Sequence, residues 1–337
     1  MRILYAIQGT GNGHMARAHE VVPMLMEYGE VDLLVSGIQT ELSLPWPVKY
    51  RLYGWGFIFG KQGGIDWAAT IRRSRPVNFI KEIFNLPVRK YDLVISDFEP
   101  VSAWACILHG VQCIGLSHQS AVLHPSFPKP RQVDLLGKFL LKCYAPASRN
   151  YGFHFKKAGN HVFHPIIRSD IRKAKTSNKG HYTVYLPAWS DQAIATFLNL
   201  FPNHRWEVFS KHCQHKQAYG NVVIQPVDKD QFTQSFVSCE GILCNAGFET
   251  PAEALFMGKK LCVMPMHGQY EQPCNAALLQ SMGVAVLEDL QPHSKGKIMD
   301  WIASESRVSV DYQDETSDIL DDLIRGLDRR VVPGYQI

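Results

Sequence analysis

Two stretches carry residues whose types and spacing could do chemistry. The first is Gly-Thr-Gly-Asn-Gly-His at 9–14. Gly9, Gly11 and Gly13 alternate there, between the apolar run that begins at Arg2 and a helical pattern that begins near His14. Glycines between a strand and a helix let a ligand approach bare backbone, and a helix start offers it free N–H groups. The third glycine comes one residue too early for the dinucleotide fingerprint G-x-G-x-x-G, and no Lys-Ser or Lys-Thr pair follows as in a P-loop. A nicotinamide or flavin site is therefore not expected. A histidine at a helix start is disfavoured as a cation by the helix dipole, so His14 suits a neutral general base. The plainer alternative is a histidine that caps or packs the loop. A partner is available in Val-Ile-Ser-Asp-Phe-Glu-Pro, which puts Asp97 at the end of another strand-like run. An aspartate bonded to one ring nitrogen would fix the tautomer and leave the other free to take a proton. Asp97 could instead cap the helix that starts near Pro100. His118, after a further strand-like run, is expected on the same side of the site as the glycine loop.

The second stretch is residues 245–284, NAGFETPAEALFMGKKLCVMPMHGQYEQPCNAALLQSMGV. Gly247 opens a loop after a strand. Thr250-Pro251-Ala252-Glu253 reads as a capping box with proline at the first helical position, and Gly258 ends that helix. A strand around Lys260–Pro265 follows. The loop before Glu271 then feeds another helix, ending at Gly283. Two helix N-termini thus point into one crevice. Their N–H groups suit a diphosphate, and Glu253, Glu271 and Gln272 suit hydroxyls.

These residues need a scaffold, and the patterning supplies one. Apolar strand-like runs alternate with helical periodicity: Arg2–Ile7, then Met15, Ala18, Val22, Leu25 and Met26 on one helix face, then strands around Val31–Ser36, Leu93–Asp97 and Cys113–Ser117. A second series begins after about residue 165. Strand, helix and strand in succession mean right-handed crossovers and parallel sheets. With 337 residues and 46% hydrophobic content, the chain exceeds one ordinary core. Two α/β domains are expected, over 1–165 and 166–315. The polar stretch 170–180 reads as a linker, residues 45–80 as irregular loops, and 316–337 as a tail with an amphipathic helix. Ligands in such sheets bind beyond the carboxyl ends of the strands.

Charge is unevenly placed. Residues 1–160 hold 18 Lys and Arg against 11 Asp and Glu, and residues 161–337 hold 17 against 20. The basic half suggests an anionic partner. Leu135, Leu136, Phe139 and Leu140 could form one face of a helix beside Lys138 and Lys142. An ordinary core helix is the simpler expectation, and contact with an anionic membrane surface the sharper one. No nucleic-acid partner and no metal site are expected. Eight cysteines in mostly apolar surroundings, without zinc spacing, read as reduced cysteines of a cytoplasmic protein. No run of eighteen apolar residues occurs, and the chain enters a strand pattern at once, so neither a membrane span nor a signal peptide is expected.

The 245–284 stretch resembles the donor-binding signature of GT-B glycosyltransferases, in the inverting families that include plant-type UDP-glycosyltransferases and the bacterial peptidoglycan GlcNAc transferase. The positions that carry the resemblance are Gly247, Thr250, Glu253, Gly258, Lys259, Pro265, Glu271, Gln272, Asn275 and Ala276, with Phe248 beside the glycine turn. GTGNGHMAR resembles the N-terminal glycine loop of those families. FHPIIRSDI resembles their interdomain segment, in which an arginine, here Arg168, reaches the diphosphate. VISDFEP resembles the segment supplying the acidic partner. One departure stands out: LPAWSDQA has Trp189 where small residues and glycines are usual, which leaves Ser190 as that loop's phosphate contact. The resemblance implies two Rossmann-like domains facing across a cleft, with the C-terminal helix in 316–337 packing back on the first. The first would bind an acceptor hydroxyl, on an anionic or lipid-linked molecule. The second would bind a nucleotide sugar, UDP-linked, as co-substrate. Transfer would proceed with inversion, without metal or cofactor. An epimerase or hydrolase of UDP-sugars, and a non-catalytic nucleotide-sugar binding protein, are the alternative readings on the same scaffold.

Overall fold

The computed structural model describes residues 1–10, 12–37, 43–56, 70, 72, 74–132 and 134–327. Gly11 and parts of the 45–80 segment lie outside the described residues. The first sheet contains β1 (Arg2–Gln8), β2 (Glu30–Ser36), β3 (Val48–Leu52), β4 (Leu93–Asp97), β5 (Cys113–Ser117), β6 (Arg149–Phe153) and β7 (Val162–Phe163), in the order 3-2-1-4-5-6-7. The second contains β8 (His181–Tyr185), β9 (Arg205–Ser210), β10 (Gln217–Tyr219), β11 (Val222–Pro226), β12 (Gly241–Asn245), β13 (Lys260–Met264) and β14 (Ala285–Val286), in the order 10-11-9-8-12-13-14. Every pairing is parallel except that of β10 with β11. The central strands are covered on both faces, so they are apolar throughout rather than alternating. Ile3–Ile7 are fully buried, and β4, β5, β12 and β13 are buried along their whole length.

The 45–80 segment departs from the loop expectation. Val48–Leu52 extends the first sheet at its edge, and Pro76–Asn85 is a helix. The β3 run alternates half-buried with exposed positions, as an edge strand does, and so lacks the unbroken apolar signal of its neighbours. In the linker, Ser169–Lys173 forms one short helical turn.

One apolar cluster spans both halves. It joins Ile3, Val22, Phe153 and Phe155 to Phe248, Ala252 and Leu278, so the two sheets bury part of their flanking layers against each other. The helix Thr316–Arg325 sends Ile319, Leu320 and Leu323 into the same cluster, and Tyr151 Oη donates to Asp322 at 2.8 Å. That helix therefore lies on the first half.

Leu135–Cys143 is helical, but it is not a core helix. Its buried residue is Gly137, while Leu135, Leu136 and Phe139 are 75, 60 and 60% exposed. The apolar residues lie on two sides of the helix. Leu140 and Leu141 turn inward, to the site described next. Among the described residues no helix is long and apolar enough to cross a membrane.

Candidate active site

A cleft of about 840 Å³ opens between the two sheets, beyond the carboxyl ends of their strands. That is within the range of small-ligand sites. The first half contributes Gly13, His14, Arg17 and His118. The second contributes Tyr185, Lys211, Gly247, Phe248, Thr250, Glu253 and Gln272. A narrower recess of about 90 Å³ adjoins it, walled by Phe98, Leu140, Leu141, Tyr144 and Tyr270. His14, Thr10, Gln119, Gln269 and Glu271 line both cavities. His14 thus stands where a ligand in the cleft and a ligand in the recess would meet.

Helix Gly13–Met26 starts directly after the glycine loop, so His14 lies in its first turn. His14 Nδ1 and Asp97 Oδ1 are 2.8 Å apart. With Nδ1–H donating to the carboxylate, Nε2 is the basic nitrogen. Asp97 ends β4 and is fully buried. It also accepts from Arg17 Nη1 at 2.6 Å and from Tyr5 Oη at 3.4 Å. Capping of the next helix falls to Glu99, whose carboxylate accepts from Val101 and Ser102 N–H. Asp97 is thereby left to His14 and Arg17. Between the two acids, Phe98 holds φ at 55°, and among the described residues it alone adopts positive φ without being glycine. Such strain persists where the surroundings enforce it. The Phe98 ring lies parallel to His14 at 6.5 Å and packs 4.8 Å from Tyr144.

Across the cleft, helices Glu249–Phe256 and Glu271–Ser281 begin without side-chain caps, as does Gly13–Met26. Their first N–H groups remain for a ligand. Gly247 faces open space, and a Cβ there would meet nothing within 4 Å. Gly9 is different. A Cβ on it would come 2.9 Å from the Ser36 carbonyl oxygen, so that glycine is required by the neighbouring strand end. Gln272 Oε1 accepts from Met266 N–H at 2.9 Å and holds the preceding loop.

The capping-box reading of Thr250 and Glu253 is overturned. The helix begins at Glu249 with Phe248 as N-cap, two residues earlier than the sequence motif suggests. Glu253 therefore falls in the second turn, facing inward. It accepts from Arg168 through two bonds, Nε to Oε1 at 2.6 Å and Nη2 to Oε2 at 2.9 Å. Burial pushes the Glu253 carboxyl above its ordinary value, and Arg168 opposes that shift. Burial also works against the Arg168 charge, but Glu253, Asp170 and Glu249 outweigh it and keep the guanidinium charged.

Two expected donor contacts do not face the cleft. Ser190 Oγ accepts from Ala193 N–H at 3.3 Å and so caps its own helix. Asn275 is fully buried. Its Oδ1 lies 2.9 Å from His118 Nε2, and its Nδ2 donates to the Ala246 carbonyl at 3.0 Å. His118 also lies 2.8 Å from the Phe153 carbonyl and stacks on Phe248 at 3.9 Å. Burial lowers its pKa to about 3, so it is a neutral link between the halves. Gln119 Nε2 makes another such link, donating to Glu271 at 2.9 Å. Trp189 packs against the core of the second half.

Sequence reasoning missed Arg17, Glu249, Phe98 and Tyr144. Arg17 sits three residues after His14, and so on the same helix face, a spacing that offered a signal. Phe98 and Tyr144 become visible only when the first sheet is assembled, and Glu249 only when the two halves meet. Among the described residues no group of three or more His, Cys, Asp or Glu side chains could hold a metal ion.

No curated protein sequence matches the chain. Among solved structures, MurG of Acinetobacter baumannii superposes with a TM-score of 0.56 at 14% identity, covering 97% of this chain and 99% of that one. A UDP-glucosyltransferase from Polygonum tinctorium gives 0.57 at 13% identity, over 98% and 96%. The spinosyn rhamnosyltransferase SpnG, in complex with thymidine diphosphate, gives 0.53 at 11% identity, over 96% of each chain. At these identities the likeness establishes the fold. The model of the family described as glycosyl transferase family 1 matches residues 1–304. With two facing parallel-sheet domains and that match over most of its length, the chain belongs to glycosyl transferase family 1 and is a glycosyltransferase of the GT-B fold.

Proposed function

We propose that the protein transfers a sugar from a UDP-sugar, bound by residues 166–315, to an acceptor hydroxyl bound by residues 1–165, with inversion and without a metal or cofactor. The observation that carries this reading is His14, braced by Asp97 at the junction of cleft and recess. The acceptor oxygen gives its proton to His14 Nε2 and forms a bond to the anomeric carbon. The bond from that carbon to the diphosphate oxygen breaks on the opposite face, and its electron pair leaves with the nucleotide. A single displacement of this kind inverts the centre. The uncapped helix N-termini and Arg168 meet the charge that develops on the diphosphate. In a thermal-unfolding screen, UDP at 100 times its Kd should stabilise the protein by about 2.7 kcal/mol. Stabilisation by thymidine or guanosine diphosphate and not by UDP would replace the donor. Hydrolysis of a UDP-sugar at an unchanged rate with and without acceptors would replace the reaction.

The acceptor side favours an amphiphile delivered from a membrane surface. The recess is walled by apolar side chains, and one wall is helix Leu135–Cys143, whose outer side exposes Leu135, Leu136 and Phe139 beside exposed Lys138 and Lys142. Helix Pro76–Asn85 likewise exposes Val77, Ile80 and Phe84 beside Arg75 and Lys81. Each basic side chain near an anionic bilayer contributes about 1 kcal/mol. Co-sedimentation with anionic vesicles, reduced by Phe139→Glu and by salt, is expected. Equal binding to neutral and anionic vesicles, or binding to neither, counts against this.

A further inference from the structure

The buried charges around His14 reach into the opposite half of the molecule. Arg17 is almost wholly buried, and its guanidinium divides between two carboxylates. Nη1 donates to Asp97 Oδ1 at 2.6 Å, and Nη2 makes a short contact to Glu249 Oε1. Asp97 belongs to the first sheet, and Glu249 opens a helix of the second half. Phe153 and Phe248, one from each half, flank the guanidinium at 5.4 and 6.0 Å. The halves approach closely enough that a Cβ on Gly13 would lie 3.1 Å from Glu249 Cγ. Asp97 Oδ1 is thus the shared acceptor of His14 and Arg17.

Charge counting gives this arrangement a consequence. With His14 neutral, Arg17, Asp97 and Glu249 sum to one negative charge. When His14 takes the acceptor's proton, the four groups become neutral. Without Glu249 the same step would leave a net positive charge in a buried site, where charge interactions are strong. The other titratable groups near this cluster are Tyr5, hydrogen-bonded to Asp97, neutral His118, the buried carboxyl of Glu271, and the Arg168–Glu253 pair, both members of which feel the Glu249 charge. Burial pushes the Glu249 carboxyl above its ordinary value, and Arg17 opposes that shift.

We infer that Arg17 and Glu249 are positioning residues through which the donor-binding half supports His14 as a base: Glu249 takes one arm of Arg17, so that Asp97 carries only the other arm and is shared with the imidazole. The inference rests on the reading of His14 as the general base. Base strength is then set by contact between the halves, because Glu249 reaches Arg17 only in the assembled arrangement.

The test is the pH dependence of kcat/KM in Glu249→Gln, which keeps the shape and removes the charge, together with an NMR titration of His14 in the ligand-free protein. The midpoint of His14 and the acid limb of the profile should both move about one pH unit lower, as for loss of a nearby opposite charge. The plateau should fall about threefold, because a weaker base transfers the proton less well. Affinity for UDP should not weaken, since a negative charge has been removed beside a diphosphate. Glu249→Asp, which keeps the charge but shortens the arm, should fall between parent and Gln and carries the test if Gln does not fold. An acid limb and His14 midpoint that coincide with the parent, while His14→Ala abolishes turnover, would overturn the coupling and leave the base in place. A raised KM for donor with an unmoved limb would make Glu249 a donor contact instead. Normal turnover in His14→Ala would remove the base reading and this inference with it.

Discussion

His14→Ala is expected to lose about 10²–10⁴-fold in turnover, the typical contribution of a positioned base, while binding UDP as tightly as the parent. The two effects separate because the His14 side chain stands on the first half, whereas Arg168 and two of the three uncapped helix starts, at Glu249 and Glu271, line the cleft from the other side. Asp97→Asn makes a useful contrast. By orientation alone it should cost less than loss of His14. Yet Asp97 is fully buried and also holds Arg17, so the variant leaves a buried guanidinium with Glu249 as its remaining carboxylate. Its loss of activity should therefore come with a loss of stability that His14→Ala, altering a partly exposed ring, does not share. Steady-state kinetics with the true acceptor, alongside calorimetric UDP binding and thermal unfolding, check all three points. Near-normal turnover in His14→Ala would eliminate it as the base.

The second large effect concerns Arg168. Arg168→Ala removes the bidentate partner of Glu253 and strands a carboxyl that is only 4% exposed. Breaking a buried pair by deleting one member costs about 3–5 kcal/mol. The elevated Glu253 pKa lets it take up a proton and recover part of that loss, so a value near the lower end is expected. The same substitution removes the cation proposed to meet the diphosphate, weakening UDP binding by about 1.5–3 kcal/mol, the range for a hydrogen bond to a charged group. Adding Glu253→Gln distinguishes the roles. The double variant should regain most of the stability, because no carboxyl is left unpaired, but should not regain UDP affinity. If its affinity equals the parent's, Arg168 is a brace between the linker and the Glu249–Phe256 helix, and the diphosphate is held elsewhere.

The placing of the site across two halves has a physical basis in this sequence. A nucleotide sugar would bring concentrated charge at its diphosphate, and three helix starts that line the cleft are without side-chain caps. Elsewhere in the chain, Glu99, Asp134, Ser190 and Asp228 cap the helices that follow them. Helices Pro76–Asn85, Lys295–Ala303 and Thr316–Arg325 also lack side-chain caps, and what distinguishes the three starts at Gly13, Glu249 and Glu271 is that they line the cleft. The recess is built from aromatic and aliphatic side chains instead. The two cavities therefore differ in the chemistry they favour, and His14 stands between them.

What the sequence alone determined was whatever depends on neighbours along the chain. The alternation of buried strands and amphipathic helices identified two parallel-sheet units, because strands covered on both faces are apolar without interruption. The glycine loop fixed His14 in a first helical turn, and the 245–284 stretch fixed two helix starts at strand ends, because turn and helix signals are local. Local signals also misled where two registers were compatible. Thr-Pro-Ala-Glu satisfies a capping box, but the helix starts two residues earlier, and Glu253 turns inward to Arg168. The tertiary structure alone decided which distant groups share a charge or a wall. Asp97 could have capped a helix until Glu99 was seen in that role. Asn275 and His118, 157 residues apart, hold each other rather than a ligand. Leu135 and Phe139 face outward because Gly137 lets the other side of their helix approach Tyr270, where a Cβ would lie 2.5 Å from that side chain. Arg17 pairs with Asp97 and Glu249 at separations of 80 and 232 residues. No periodicity encodes such a pairing, because its energy exists only once both sheets have brought their strand ends to the same cleft.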